Sequence, residues 1–133
     1  MTKAEAVRQE LYDDGVIIFD HTPIKRKSIV DPDGFIALSS SVDTSAEEHC
    51  VLTHDKWHLK LGAFYPPCSP YQLKAQMEYR VNKRALMEVV PLDLLKMALS
   101  TGMPLEEVAE DFEVPVEILA EAISLYHSMG MAV

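Results

Sequence analysis

Proline placement divides the second half of this chain more firmly than any other feature. Pro70, Pro91, Pro104 and Pro115 each precede a stretch with helical apolar spacing. Proline has no amide hydrogen and clashes with the turn before it, so a helix accepts it at its first turn and not in its interior. No helix runs unbroken through these positions. The spacing predicts a long helix over about 70–89 with Pro70 at its first position. Three shorter helices follow, LDLLKMAL, LEEVAEDF and VEILAEAISLYHSM, as a helical cluster over 91–133.

The first half reads differently. Residues 3–13 carry helical spacing through Ala6, Val7, Leu11 and Tyr12, and Gly15 stops them. VIIF at 16–19 is β-branched and aromatic and predicts a strand. His21 to Lys27 is a basic connection containing Pro23. SIV at 28–30 and FIAL at 35–38 flank Asp31-Pro32-Asp33-Gly34, a turn sequence, so 28–38 predicts a hairpin. Ser45 with Glu48 matches a capping box at the start of a helix over about 46–62. That helix is apolar on more than one face, through Cys50, Val51, Leu52, Trp57, Leu59 and Leu61, as a central buried helix is. The proline-rich GAFYPPCSP links it to the next one. The expected fold class is α+β: a small N-terminal β-sheet packed on a helix pair, then a C-terminal helical cluster. The 133 residues suit a single domain, with a core of about 1–90 and a helical cap of about 91–133.

Charge narrows the partners. The net charge is −9, which repels phosphate backbones. PLEEVAEDFEVPVEILAEAISLY has the outline of a helix-turn-helix, yet 91–133 holds one basic side chain, Lys96, against eight acids. A groove-reading helix needs cationic phosphate contacts, so no direct nucleic-acid partner is expected. Two cysteines fit a reducing compartment. The polar start MTKAEAVRQELYDD lacks a signal core, and no stretch is long and apolar enough for a bilayer. The expectation is a cytoplasmic protein with no membrane partner.

The chemistry concentrates in Cys50-Val51-Leu52-Thr53-His54-Asp55-Lys56-Trp57-His58. His54 and His58 are four apart on the expected helix, so both imidazoles share a face one turn apart. Two readings fit that spacing: satisfied core histidines, or two ligands of one metal ion. The middle of a buried helix favours ligands, because uncompensated imidazoles are costly there. Glu78, on the next helix, supplies a carboxylate. Two His, one carboxylate and an open position make the catalytic zinc pattern, though the same donors suit Mn, Fe or Ni.

The stretch EEHCVLTHDKWHLKLGAFYPPCSPYQLKAQMEYRVNKRAL resembles the ImmA/IrrE zinc metallopeptidases of bacteria, phages and mobile elements. Their pattern is a short helix and small sheet, an H-E-x-x-H helix, then a helix bearing E-x-x-A-N. Glu78 and Asn82 match the second motif, with Val81 where Ala is usual. The resemblance implies a zincin-like helix pair, Zn2+ held by His54, His58 and Glu78, and Asn82 supporting the site from behind. It implies an endopeptidase that uses a metal-activated water, with Asp55 in the position of the catalytic base. Its protein substrate would be a helix-turn-helix transcriptional repressor, which makes the chain an anti-repressor. The alternative is a weakened or inactive relative that binds the repressor without cutting it.

Two further residues depart from that pattern. Asp55 replaces Glu; its side chain is shorter by about 1.5 Å, and misplacement on that scale costs on the order of a hundredfold in rate. Trp57 replaces a small residue, and the expectation for it is core packing. Cys50, one turn before His54, is expected to be a small buried hydrophobe rather than a thiolate ligand. Cys68 reads as a loop thiol and His49 as surface or sheet-facing. His21 and His127 carry no spacing signal. For Tyr65, Tyr71 and Tyr79 ordinary packing is expected.

Overall fold

The computed structural model describes residues 1–133. Helix α1 spans Lys3–Asp13, strands β1, β2 and β3 span Ile17–Thr22, Ser28–Asp31 and Phe35–Ser39, and helices α2 and α3 span Ser45–Leu61 and Tyr71–Val89. Three short helices close the chain: α4 at Leu92–Ser100, α5 at Leu105–Phe112 and α6 at Val116–Ser128. The α+β expectation, sheet early and helices late, holds.

The sheet order is β1-β3-β2. β2 and β3 form the expected antiparallel hairpin, with Ile29 opposite Ala37, while β1 runs parallel to β3, Ile18 opposite Ile36. Gly34 takes φ 98°, a conformation that a residue with a Cβ adopts only under strain, and closes the turn by donating to Asp31 O at 3.0 Å. β1 runs on through Asp20, His21 and Thr22, where a connection was expected. Its register shifts between Phe19 and Thr22, and His21 sits at φ 55°. The strand continues past the apolar run because Thr22 pairs with Ser39 of β3, a partner 17 residues away.

Two starting signals differ from expectation by one residue. The N-cap of α2 is Thr44, whose hydroxyl accepts from Glu47 N at 3.1 Å; Ser45 is already helical, so the Ser45–Glu48 box does not form. Pro70, Pro91, Pro104 and Pro115 are likewise N-caps rather than first helical residues. Their carbonyls accept the first intrahelical bonds, such as Leu95 N to Pro91 O at 2.9 Å, while their extended ψ ends the loop before them.

Two apolar clusters hold the molecule. Val7, Leu11, Val16, Ile18, Ile36, Leu38 and Leu52 pack α1 and α2 onto one face of the sheet. Val89, Val90, Leu95, Val108, Ala109, Phe112, Val114, Leu119, Ala122 and Tyr126 join the end of α3 to α4, α5 and α6. Tyr126 satisfies its buried hydroxyl by donating to Val90 O at 2.6 Å. No helix is long and apolar enough to cross a membrane.

Candidate metal centre

α2 carries the side chains that matter, and it carries them buried. His49, Thr53, Asp55, Lys56 and His58 are all among its buried residues. Each must find a partner, because an unpaired polar group away from water is costly. Their partners divide them into structural and functional groups.

Thr53 donates to His49 O at 2.7 Å within the helix. His49, expected to be surface or sheet-facing, is 4% exposed, and its Nδ1 lies 2.9 Å from the carbonyl of Glu113. Glu113 has φ 56° and its carboxylate accepts from Lys3 N at 3.1 Å, so one residue fastens α1, α2 and the α5–α6 junction. Burial pushes the His49 pKa down, partly opposed by the Glu113 carbonyl. Lys56 is 3% exposed, and its ammonium meets Glu10 of α1 at 3.2 Å and Glu88 of α3. Trp57 is not in the core. Its indole donates to Glu88 at 3.2 Å, and Lys60 and Arg84 lie over its ring at 5.5 and 5.6 Å. The ring packs under cations on the flank of α2 and does not line the cleft described below.

His54, His58 and Glu78 are different: they meet one another. His58 Nε2 is 3.4 Å from Glu78 Oε1, and His54 Nε2 is 3.6 Å from Glu78 Oε2. One ligand atom from each lies within 4.8 Å of the others. Two donors each about 2.1 Å from one ion at the tetrahedral angle are about 3.4 Å apart, so the His–Glu separations suit a shared divalent ion. The His58 Nδ1 lies 2.8 Å from Ala63 O. As the donor there, it leaves Nε2 unprotonated and aimed at Glu78, the outer-shell support that metal-bound histidines require. Gly62 makes that contact possible: at φ 60° it ends α2 and turns Ala63 back over the last turn. The donor set and its supports therefore fit a metal ion.

Asp55 sits beside this group, 3% exposed. Its Oδ1 is 3.7 Å from His54 Nδ1, and its Oδ2 is buried without a hydrogen-bond partner. Burial lowers the His54 pKa, but Asp55, Glu78 and Asn82 more than offset it, and the net shift is upward. Asn82 shares a small cavity with His54 and is one cause of that upward shift. Tyr65, for which plain packing was expected, donates its hydroxyl to Glu78 Oε1 at 3.3 Å. Burial and the Glu78 carboxylate push its phenol up, so it stays a donor at neutral pH. Tyr71 and Tyr79 are exposed. Cys50 is half-buried against the C-terminal cluster, and burial with Glu121 and Glu47 pushes its thiol up to about 12. Its sulfur is not among the converging donors. Cys68 is an exposed loop thiol.

The triad lies in a cleft of about 580 Å³, lined by α2, the Ala63–Tyr65 loop, Glu78 and the stretch from Arg26 to Val30. The last of these is an open sheet edge. Lys27 O accepts from Ser39 N, and Asp31 O accepts from Gly34 N. Residues 27, 29 and 31 therefore face β3, and alternation turns the backbone N–H and C=O of Ser28 and Val30 outward. Neither the open edge nor Arg26 was singled out from the sequence; the hairpin pattern could have revealed the edge, while nothing local marks Arg26.

No protein-family model matches this chain, and neither a curated protein nor a solved structure does.

Proposed function

We propose that the chain is a zinc-dependent endopeptidase that acts on a specific protein, with a helix-turn-helix transcriptional repressor as its substrate. The reading rests on one observation: two imidazole nitrogens each lie 3.4–3.6 Å from an oxygen of one carboxylate, in a cleft bordered by an unpaired strand edge. The ImmA/IrrE resemblance supports it, and so does the open edge, which offers an extended peptide two N–H and two C=O groups at Ser28 and Val30.

His54, His58 and Glu78 would hold the ion. Bound there, zinc supplies Lewis acidity, polarising a carbonyl and lowering the pKa of water. The chain's own groups do the rest. The Ala63 carbonyl and the Asp55 carboxylate orient the two imidazoles. Asp55, which lines the cleft beside His54, would take a proton from water as its oxygen attacks the substrate carbonyl and return that proton to the departing amine. The Tyr65 hydroxyl, a phenol held in its protonated form, donates to the oxygen of the substrate carbonyl as charge gathers there.

A second reading has its own support. The shorter Asp55 side chain lies 3.7 Å from the outer nitrogen of His54, a place suited to steadying that ring. A chain using Asp55 only in that way would capture its repressor and leave it whole. Incubating zinc-loaded protein with the repressor encoded beside its gene, followed by mass measurement, decides between them. Two fragments, absent with Glu78→Ala, support the peptidase; an intact repressor in a stable complex supports capture. Asp55→Glu should raise cutting at least tenfold if reach limits the base.

A further inference from the structure

We propose that the cleft selects an extended segment carrying a carboxylate side chain, which Arg26 engages at the rim beside Tyr65. The inference rests on the peptide-binding reading above and adds the chemistry of what is bound.

Arg26 lines the cleft on the connection into β2. Lys27, next to it, is ion-paired with Glu47 at the start of α2, which ties the connection down. Arg26 itself is exposed and makes none of the molecule's ion pairs, unlike Arg8, which holds both Asp20 and Glu48. Tyr65 lines the same cleft. The cleft's two carboxylates, Asp55 and Glu78, are turned toward the histidines. The free charge at the rim is therefore positive, on a chain whose net charge is −9.

That contrast has a consequence for binding. An acidic group is repelled by most of this surface and attracted at Arg26. The strand edge then sets the register. Arg26 is two residues before Ser28, in the bend that leads into β2, and so no more than about 7 Å from it along the chain. A segment hydrogen-bonded to Ser28 and Val30 thus carries its acidic residue just beyond the paired stretch, where the planar guanidinium grips a carboxylate through two N–H groups. Glutamine has the same shape without the charge, so the site separates Glu from Gln.

The test uses the whole zinc-loaded chain and fluorescein-labelled, Ser/Thr/Val-rich peptides with one Glu, Gln or Lys walked along them, read by anisotropy. At the best position Glu should bind about fivefold tighter than Gln. Arg26→Gln should abolish that preference and Arg26→Glu should invert it toward Lys. Lys25→Glu, at an exposed cation outside the cleft lining, should preserve it. Equal affinity for Glu and Gln overturns the inference, and so does a Glu preference that survives Arg26→Glu or is lost equally in Lys25→Glu. Zinc content of the same samples separates this inference from the metal reading. Stoichiometric zinc without a Glu preference sinks the inference alone; a preference that Arg26→Glu inverts, in protein that takes up no zinc, sinks the metal reading alone.

Discussion

The sheet-side core and the C-terminal core are built from opposite materials. The C-terminal cluster is apolar throughout, and its one polar atom, the Tyr126 hydroxyl, has a carbonyl partner. All six buried polar or charged residues, Ser39, His49, Thr53, Asp55, Lys56 and His58, lie on the sheet side, five of them on α2. Burying such groups costs stability unless each is matched. Ser39, His49, Thr53 and Lys56 are matched by the fold itself. Asp55 is left with a free oxygen, and the second ring nitrogen of His58 faces Glu78 at 3.4 Å. Burial thus separates the part of the molecule that stabilises from the part left ready for chemistry.

Substitutions can break or sharpen that division. The largest effect should come from His58→Ala: zinc affinity falls more than about a hundredfold, beyond the usual loss for an outer-shell partner, while the metal-free protein melts within a few degrees of the native chain. Equal damage to both would mean that His58 is a core residue. Leu119→Ala is the mirror image. Leu119 is fully buried in the C-terminal core, and its truncation should cost about 3 kcal/mol of stability in denaturant unfolding, with zinc affinity changed less than threefold. A comparable loss of zinc binding would show that the two cores are not separable.

The smallest effect belongs to the junction, at His49. Its folded-state pKa is lowered by burial, so the folded chain binds fewer protons there than the unfolded one. The stability it contributes is complete above the unfolded value of about 6.5 and is lost as pH falls from there toward the folded value. His49 should therefore take stability from the metal-free protein below about pH 6.5, against the opposite contribution of His54, and His49→Gln should leave the variant less acid-sensitive than the native chain. A slope unchanged in the variant would place the acid sensitivity elsewhere.

How much of this was legible in the sequence follows the same division. The prolines and Asp31-Pro32-Asp33-Gly34 announce their elements locally, and those elements stand to within a residue or two. The His54–His58 pair is also local, a matter of helical pitch. What escaped depends on distant partners. β1 extends to Thr22 because Ser39 pairs with it. His49 is buried because Glu113, 64 residues on, presents its carbonyl. Trp57 leaves the core because Glu88, 31 residues on, accepts its N–H and Lys60 and Arg84 cover its ring. Tyr65 finds Glu78 only once α3 has packed along α2. The candidate metal site combines both kinds: the histidines from local spacing, and the carboxylate from tertiary packing.

The central claim is that His54, His58 and Glu78 together hold one metal ion, and calorimetric zinc titration of the metal-free chain tests it most directly. The account predicts about one equivalent of zinc bound. Glu78→Ala, a change at a partly exposed side chain, should weaken binding at least about a hundredfold without lowering the melting temperature of the metal-free form. No uptake by the native chain, or equal uptake by the variant, would contradict it.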